Sequence, residues 1–331
     1  MVNESIFNPE RGLPLVIAPE PDTTPNTAAN ADALCAWINE HRDEVEAKLL
    51  ANGAILFRGF GVGTPGGFRR FVSSVASGLM DYVDGNSPRT RLTSGVYTST
   101  EYPQEYFISL HNELSYSHRW PGRLFFGCIV APQAQGETVI ADSRAILRGL
   151  PAGIVDEFTR RKVKYIRNLH GGGGFGPSWQ DTFETTDRAA VEDYFRSAGM
   201  SFEWRENGGL RVSQVRPAVA RHPKTGELVW FNQADQFHPS THPPAVYQSL
   251  LSLYRDDEDL PQNVRFGDDA PIDAGMLDEI RRTTRNLTVY FPWQEGDVLM
   301  VDNMLVCHGR APFSGPRKIL VSMCDVVSDE N

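Results

Sequence analysis

The chain reads as mainly β with flanking helices, its strands folding into a double-stranded β-helix, or jelly-roll, core. Many strand-like runs are short and stand at turn-like spacings, and helical periodicity is confined to scattered segments. That combination favours a double-sheet barrel over a doubly wound parallel sheet, and no internal repeat is present. The expected organisation is an irregular leader over residues 1–30, rich in Pro and Thr, then a single jelly-roll domain over 31–331 with a helical and loop insertion around 144–285.

Taken in order, residues 31–51 predict an amphipathic helix, with Leu34, Trp37, Ile38, Val45 and Leu49 at near-helical spacing. The run 53–60 is apolar and bounded by glycines, a strand signal, and 68–79 predicts a second helix. Residues 106–110 and 124–130 read as strands joined through a turn, and 136–142 as loop into strand. Helices are expected over 144–150, 151–161 and 188–198. Short strands are expected at 163–167, 202–204, 210–212, 229–231 and 287–291, and the last ones at 298–301, 304–307 and 318–324. The glycine-rich stretch 171–176 reads as a flap over a substrate.

A hydrophobic fraction of 40% and an aromatic fraction of 10% suffice for a sizeable core. The formal charge of −10 is spread without a basic stripe, so nucleic acid is not an expected partner. The longest apolar stretch, near 124–131, is far short of the roughly 20 residues that cross a bilayer, and the first residues carry no secretory pattern. Four cysteines without C-x-x-C spacing read as buried thiols, and a reducing, cytoplasmic setting is expected.

The chemistry concentrates in two stretches almost two hundred residues apart, 109–113 and 301–310. His111 and Glu113 are two apart, so on a strand both point the same way, and His308 must arrive from elsewhere. Two imidazoles and one carboxylate on one face of an octahedral ion leave positions open, the arrangement of non-haem Fe(II) oxygenases. Taken singly, the pair is also an ordinary exposed strand pair and His308 an ordinary hydrogen-bonded histidine. His170-Gly171-Gly172-Gly173 suggests an esterase oxyanion loop, but no G-x-S-x-G elbow accompanies it. His238 and His242 have metal-site spacing for a helix, which Pro239, Pro243 and Pro244 argue against.

His111-Asn112-Glu113, Gly136-Glu137-Thr138, Trp293-x-x-Gly296-Asp297, Asp302-Asn303, His308-Gly309-Arg310 and Pro312-Phe313-x-Gly315-x-Arg317 follow one another as in a known family. In order and approximate spacing the chain resembles the taurine dioxygenase (TauD/TfdA) family of Fe(II)/2-oxoglutarate enzymes, from about Gly53 to the end. Ser178-Trp179-Gln180, His222-Pro223-x-Thr225-Gly226-Glu227 and Trp230-Phe231-Asn232 are similar to its SyrP-like branch.

The resemblance implies His111, Glu113 and His308 as ligands of Fe(II), with Glu113 where many relatives have Asp. It implies Thr138 and Arg317 on the distal carboxylate of 2-oxoglutarate, a task that suits the planar fork of arginine. Some relatives carry a later second arginine where this chain has Val321-Ser322; Arg310 is an alternative helper or a structural salt-bridge residue. The implied reaction consumes O2 and 2-oxoglutarate, releases succinate and carbon dioxide, and oxidises a substrate C–H bond. Halogenating relatives have a small residue in place of the carboxylate ligand, so Glu113 favours oxygenation. The branch implies hydroxylation of an unactivated carbon of an amino acid or derivative in natural-product biosynthesis, the substrate free or held on a carrier protein. Asn112, Asn232 and Asp235 are candidate substrate contacts, with loop hydrogen bonding as their ordinary role. The alternatives are a desaturase or cyclase with the same iron centre, and a non-catalytic jelly-roll binding protein.

Overall fold

The computed structural model describes residues 2–20, 28–76, 78–82, 84–85, 89–99, 102–174, 176–254 and 256–328. Its first element corrects the expected leader: β1 (Val2–Asn8) and β2 (Leu13–Pro19) form an antiparallel hairpin. Leu13, Leu15 and Ile17 are buried, and this apolar alternation is what draws residues 13–19 into a sheet. Residues 21–27 lie outside the described residues.

The single helix expected over 31–51 is two, α1 (Ala28–Glu40) and α2 (Arg42–Asn52). His41 interrupts them at φ −110° and ψ 31°, its Nδ1 2.9 Å from the Trp37 carbonyl and its ring stacked on the indole. Gly53 ends α2 in the left-handed region at φ 73°, and a Cβ there would meet Val306 Cγ2 at 2.4 Å, so both conformation and space demand glycine. β3 (Ala54–Phe57) follows. α3 (Pro65–Val75) starts at Thr64, whose hydroxyl accepts the Gly67 N–H, and stops short of the expected Leu79. Then come β4 (Leu79–Met80), β5 (Arg91–Thr93), β6 (Val96–Thr98), β7 (Ile108–His111), β8 (Arg119–Val130) and β9 (Thr138–Asp142). α4 (Ser143–Gly149) is capped by Asp142, which accepts from the N–H groups of Arg144 and Ala145.

The stretch 144–285 is more than helices and loops. It contains a four-stranded antiparallel sheet of Ser201–Trp204, Leu210–Arg216, Val163–Leu169 and Gln262–Phe266, in that spatial order. The strand expected at 287–291 is replaced by the end of the helix Ala274–Leu287 and a single bridge from Val289 to Ile140. The chain closes with β10 (Val298–Asp302), β11 (Val306–Arg310) and β12 (Lys318–Ser328).

A nine-stranded sheet runs β1-β2-β3-β10-β8-β12-β6-β5, with β4 on the flank of β12. A smaller sheet, β9-β11-β7, faces it. The large sheet is buried on both faces, and period-two alternation divides its side chains between two cores. Phe125, Val298, Met300 and Leu320 pack outward against α1, α2 and α3. Leu124, Phe126, Leu299, Val301, Ile319 and Val321 point inward to the smaller sheet, together with Ile140 and Val306. The strands at the centre therefore read as continuous apolar runs. The site lies where the inner core meets polar residues of the smaller sheet.

Candidate metal centre

β11 lies in the middle of the smaller sheet, so its residues have neighbours on both sides. His308 pairs across from Ile140 on β9 and from His111 on β7, and Arg310 pairs with Thr138. The two imidazole centroids are 4.4 Å apart. Phe126 of the large sheet covers the His308 ring at 5.0 Å.

Glu113 reaches the same point by a different route from the one expected. β7 ends at His111, and Glu113 opens a turn in which Leu114 has φ 55°. Asn303 fixes it: Asn303 Oδ1 accepts the Glu113 N–H at 2.7 Å, while its Nδ2 donates to the Glu113 carbonyl at 2.9 Å and to that of Pro121 at 2.8 Å. A buried asparagine thus does what strand periodicity does not. One ligand atom from each of His111, Glu113 and His308 lies within 4.8 Å of the others, with His308 Nε2 3.8 Å from Glu113 Oε2.

The electrostatics suit metal binding. Burial lowers the His111 pKa against the pull of Glu113, and burial lowers that of His308 well below the usual range, with His111 and Arg89 adding to it. Both shifts favour the neutral ring, the form that binds metals. His111 Nδ1 is 2.9 Å from the Ser109 carbonyl, which holds the proton there and frees Nε2. His308 Nδ1 is buried without a hydrogen-bond partner among the described residues. This donor set fits a divalent ion of the iron type.

A cavity of about 30 Å³ adjoins the triad, lined by Thr138, Arg317, Arg310, Ser99 and Arg89 besides the two histidines. Arg317 Nε donates to the Gly136 carbonyl at 2.8 Å and Nη1 to Ser99 Oγ at 3.3 Å. Burial, with Arg310 nearby, pushes its pKa down to about 10, the mark of a cation short of counter-charge. Arg310 lines the same cavity and also has a structural role. Its two terminal nitrogens donate to the carbonyls of Tyr102 at 2.8 Å, Pro103 at 2.6 Å and Tyr106 at 3.0 Å, clamping the segment that leads into β7.

The candidate substrate contacts fall elsewhere. Asn112, Asn232 and Asp235 line a second cavity, of about 200 Å³, on the Cys307 side of the smaller sheet, the face opposite His308. Asn112 Nδ2 donates to the Asn303 carbonyl at 2.6 Å, Asn232 bonds the Ala218 carbonyl at 3.0 Å and accepts the Ala234 N–H at 3.1 Å, and Asp235 pairs with Arg281. Their polarity is absorbed by the fold. The described part of the glycine stretch lines a groove with residues 203–207, away from the triad. Two residues beside the site carried no sequence signal. Gln236 donates to the Ser109 carbonyl at 2.8 Å and lies 3.0 Å from His111 Nδ1, and Arg89 donates to Glu113 Oε2 at 2.5 Å from a segment without periodicity.

Comparison with known proteins identifies a family and a shared fold. Residues 19–324 match the family described as "Taurine catabolism dioxygenase TauD, TfdA family". The dapdiamide synthesis protein DdaC of Enterobacter agglomerans is 37% identical over 301 residues, 91% of this chain and 90% of that one. A clavaminate synthase-like protein of Arabidopsis thaliana is 30% identical over 324 residues, 94% of this chain and 93% of its own. Among solved structures, PvcB of Pseudomonas aeruginosa, described as an Fe, alpha-ketoglutarate dependent oxygenase from an isonitrile synthetic pathway, superposes with a TM-score of 0.56 at 14% identity. The superposition covers 99% of this chain and 94% of that one, and shows a shared fold.

Proposed function

The chain belongs to the TauD/TfdA family of dioxygenases, and from that premise we propose that it is an Fe(II)- and 2-oxoglutarate-dependent hydroxylase of an amino acid or amino-acid derivative. The observation that carries this reading is the convergence of His111, Glu113 and His308 beside a cavity that also presents Thr138 and Arg317. The DdaC relative, named for dapdiamide synthesis, supports a biosynthetic substrate.

Iron and 2-oxoglutarate, when bound, would activate O2, one oxygen atom going to succinate as 2-oxoglutarate loses carbon dioxide and the other to an unactivated C–H bond of the substrate. The chain's own residues hold and exclude. His111, Glu113 and His308 hold the metal, and Ser109 and Asn303 keep two of them aimed. Arg317, already fixed at Nε and Nη1, offers Nη2 to the distal carboxylate, with the Thr138 hydroxyl alongside. Phe126 and the inner core keep bulk water from the triad. Glu113 occupies the carboxylate position, which favours oxygenation over halogenation.

Anaerobic addition of Fe(II) and 2-oxoglutarate should give a weak visible charge-transfer band. Once O2 is admitted, a panel of amino acids, free and as carrier-protein thioesters, should release succinate with a product heavier by one oxygen. A well-folded protein without the band would overturn the proposal, and a product lighter by two hydrogens would replace hydroxylation with desaturation.

A further inference from the structure

Arg89 is the cation nearest to the triad, and its nitrogens are unevenly satisfied. Nη2 donates to Glu113 Oε2 at 2.5 Å, and the guanidinium lies over the Tyr82 ring, 4.5 Å from its centroid. The side chain is 3% exposed. Nε and Nη1 are buried and find no acceptor among the described residues. Leaving such donors unpaired is costly, and the charge of the guanidinium favours an anionic acceptor.

The charges make the same demand, given the metal and cosubstrate proposed above. Glu113 is the triad's one carboxylate, and it cannot balance both a divalent ion and Arg89. The residues lining the cavity include Arg89, Arg310 and Arg317 and no acid. Glu137 acts on Arg317 and Glu105 on Arg310, so the positive charge left without an acid beside it sits on the metal centre and Arg89. Arg317 lies beside Gly136, whereas Arg89 lies beside Glu113, so the two guanidinium groups serve different places.

We propose that Arg89 is a carboxylate anchor beside the metal, taking through Nη1, the unpaired terminal nitrogen, a carboxylate of either the primary substrate or the metal-facing end of the cosubstrate. The inference rests on the function proposed above, and its test separates the two. Iron content, 2-oxoglutarate affinity from the charge-transfer band, and the response of that band to acetate and glycine against acetamide and glycinamide are compared in wild type, Arg89→Lys and Arg89→Met. If wild type lacks the band, the function proposed above has failed. If it is present, Arg89→Met should retain iron and lose about 10- to 100-fold in carboxylate affinity, with Arg89→Lys less affected. A loss confined to 2-oxoglutarate assigns the cosubstrate, and a loss confined to acetate and glycine assigns the primary substrate. Unchanged responses in Arg89→Met overturn the anchor. So does loss of iron in Arg89→Met when Arg89→Lys has normal iron content and both carboxylate titrations unchanged, because Arg89 then only braces Glu113.

Discussion

Asn303 shows how a single side chain can decide where a metal ligand sits. The residue is wholly buried and its side chain makes three hydrogen bonds, two of them to the backbone of Glu113. Asn303→Ala leaves those groups without partners, and a loss of about 3 kcal/mol in metal-free stability is expected, read from the shift of the urea midpoint. Iron affinity should fall in parallel. Two of the three cavity arginines, Arg317 and Arg310, separate by a different measurement. Arg317→Met should weaken 2-oxoglutarate about tenfold or more, whereas Arg310→Met should chiefly speed amide exchange over 102–107, where its carbonyl partners lie. If Arg310→Met matches Arg317→Met in 2-oxoglutarate affinity while leaving exchange unchanged, the clamp assignment is wrong. The triad was legible because metal chemistry restricts residue type. Asn112, Asn232 and Asp235 line a cavity on the other face of the smaller sheet, because polarity beside a metal strand does not say which face it occupies or whether the backbone has already satisfied it.

Among the elements, β7 and β11 set the spacing of the two imidazoles, and Gly309 sets how closely those strands approach. A Cβ at Gly309 would stand 2.4 Å from the Ile108 carbonyl oxygen and 3.2 Å from the Ser109 carbonyl carbon. The register shifts between His308 and Arg310, so this contact falls at an irregularity rather than in a uniform ladder. Gly309→Ala should destabilise the protein by about 1–3 kcal/mol and reduce iron binding. Normal iron affinity in that variant would show that the strands adjust freely. The central strands were readable as strands because both of their faces are apolar. The hairpin β1–β2 was not: Val2–Asn8 is polar and half exposed, and its pairing partner supplies the order that its own composition lacks. His41 broke an otherwise sound helical period through a local contact with Trp37 that periodicity does not encode.

Over the whole molecule, the two cores leave little room for reactive side chains. Burial pushes the thiols of Cys128, Cys307 and Cys324 up to about 12, with Asp297, Asp142 and Asp325 respectively adding to it through their negative charge. A raised thiol pKa keeps the unreactive protonated form across the neutral range. At pH 8 a disulfide reagent should therefore react rapidly with Cys35 alone, which is only half-buried in α1, and with all four thiols after denaturation. Rapid modification of two or more native thiols would show that the cores open. The jelly-roll class and the general order of its strands were visible in the sequence, while the small sheet within 144–285 needed long-range pairing to declare itself. The amino-terminal hairpin has a further consequence, because β2 lies directly against the fully buried β3. Removal of residues 2–19 would bare a short, wholly apolar border that self-associating chains could use as a template, so this first stretch is a guard against aggregation as well as part of the scaffold.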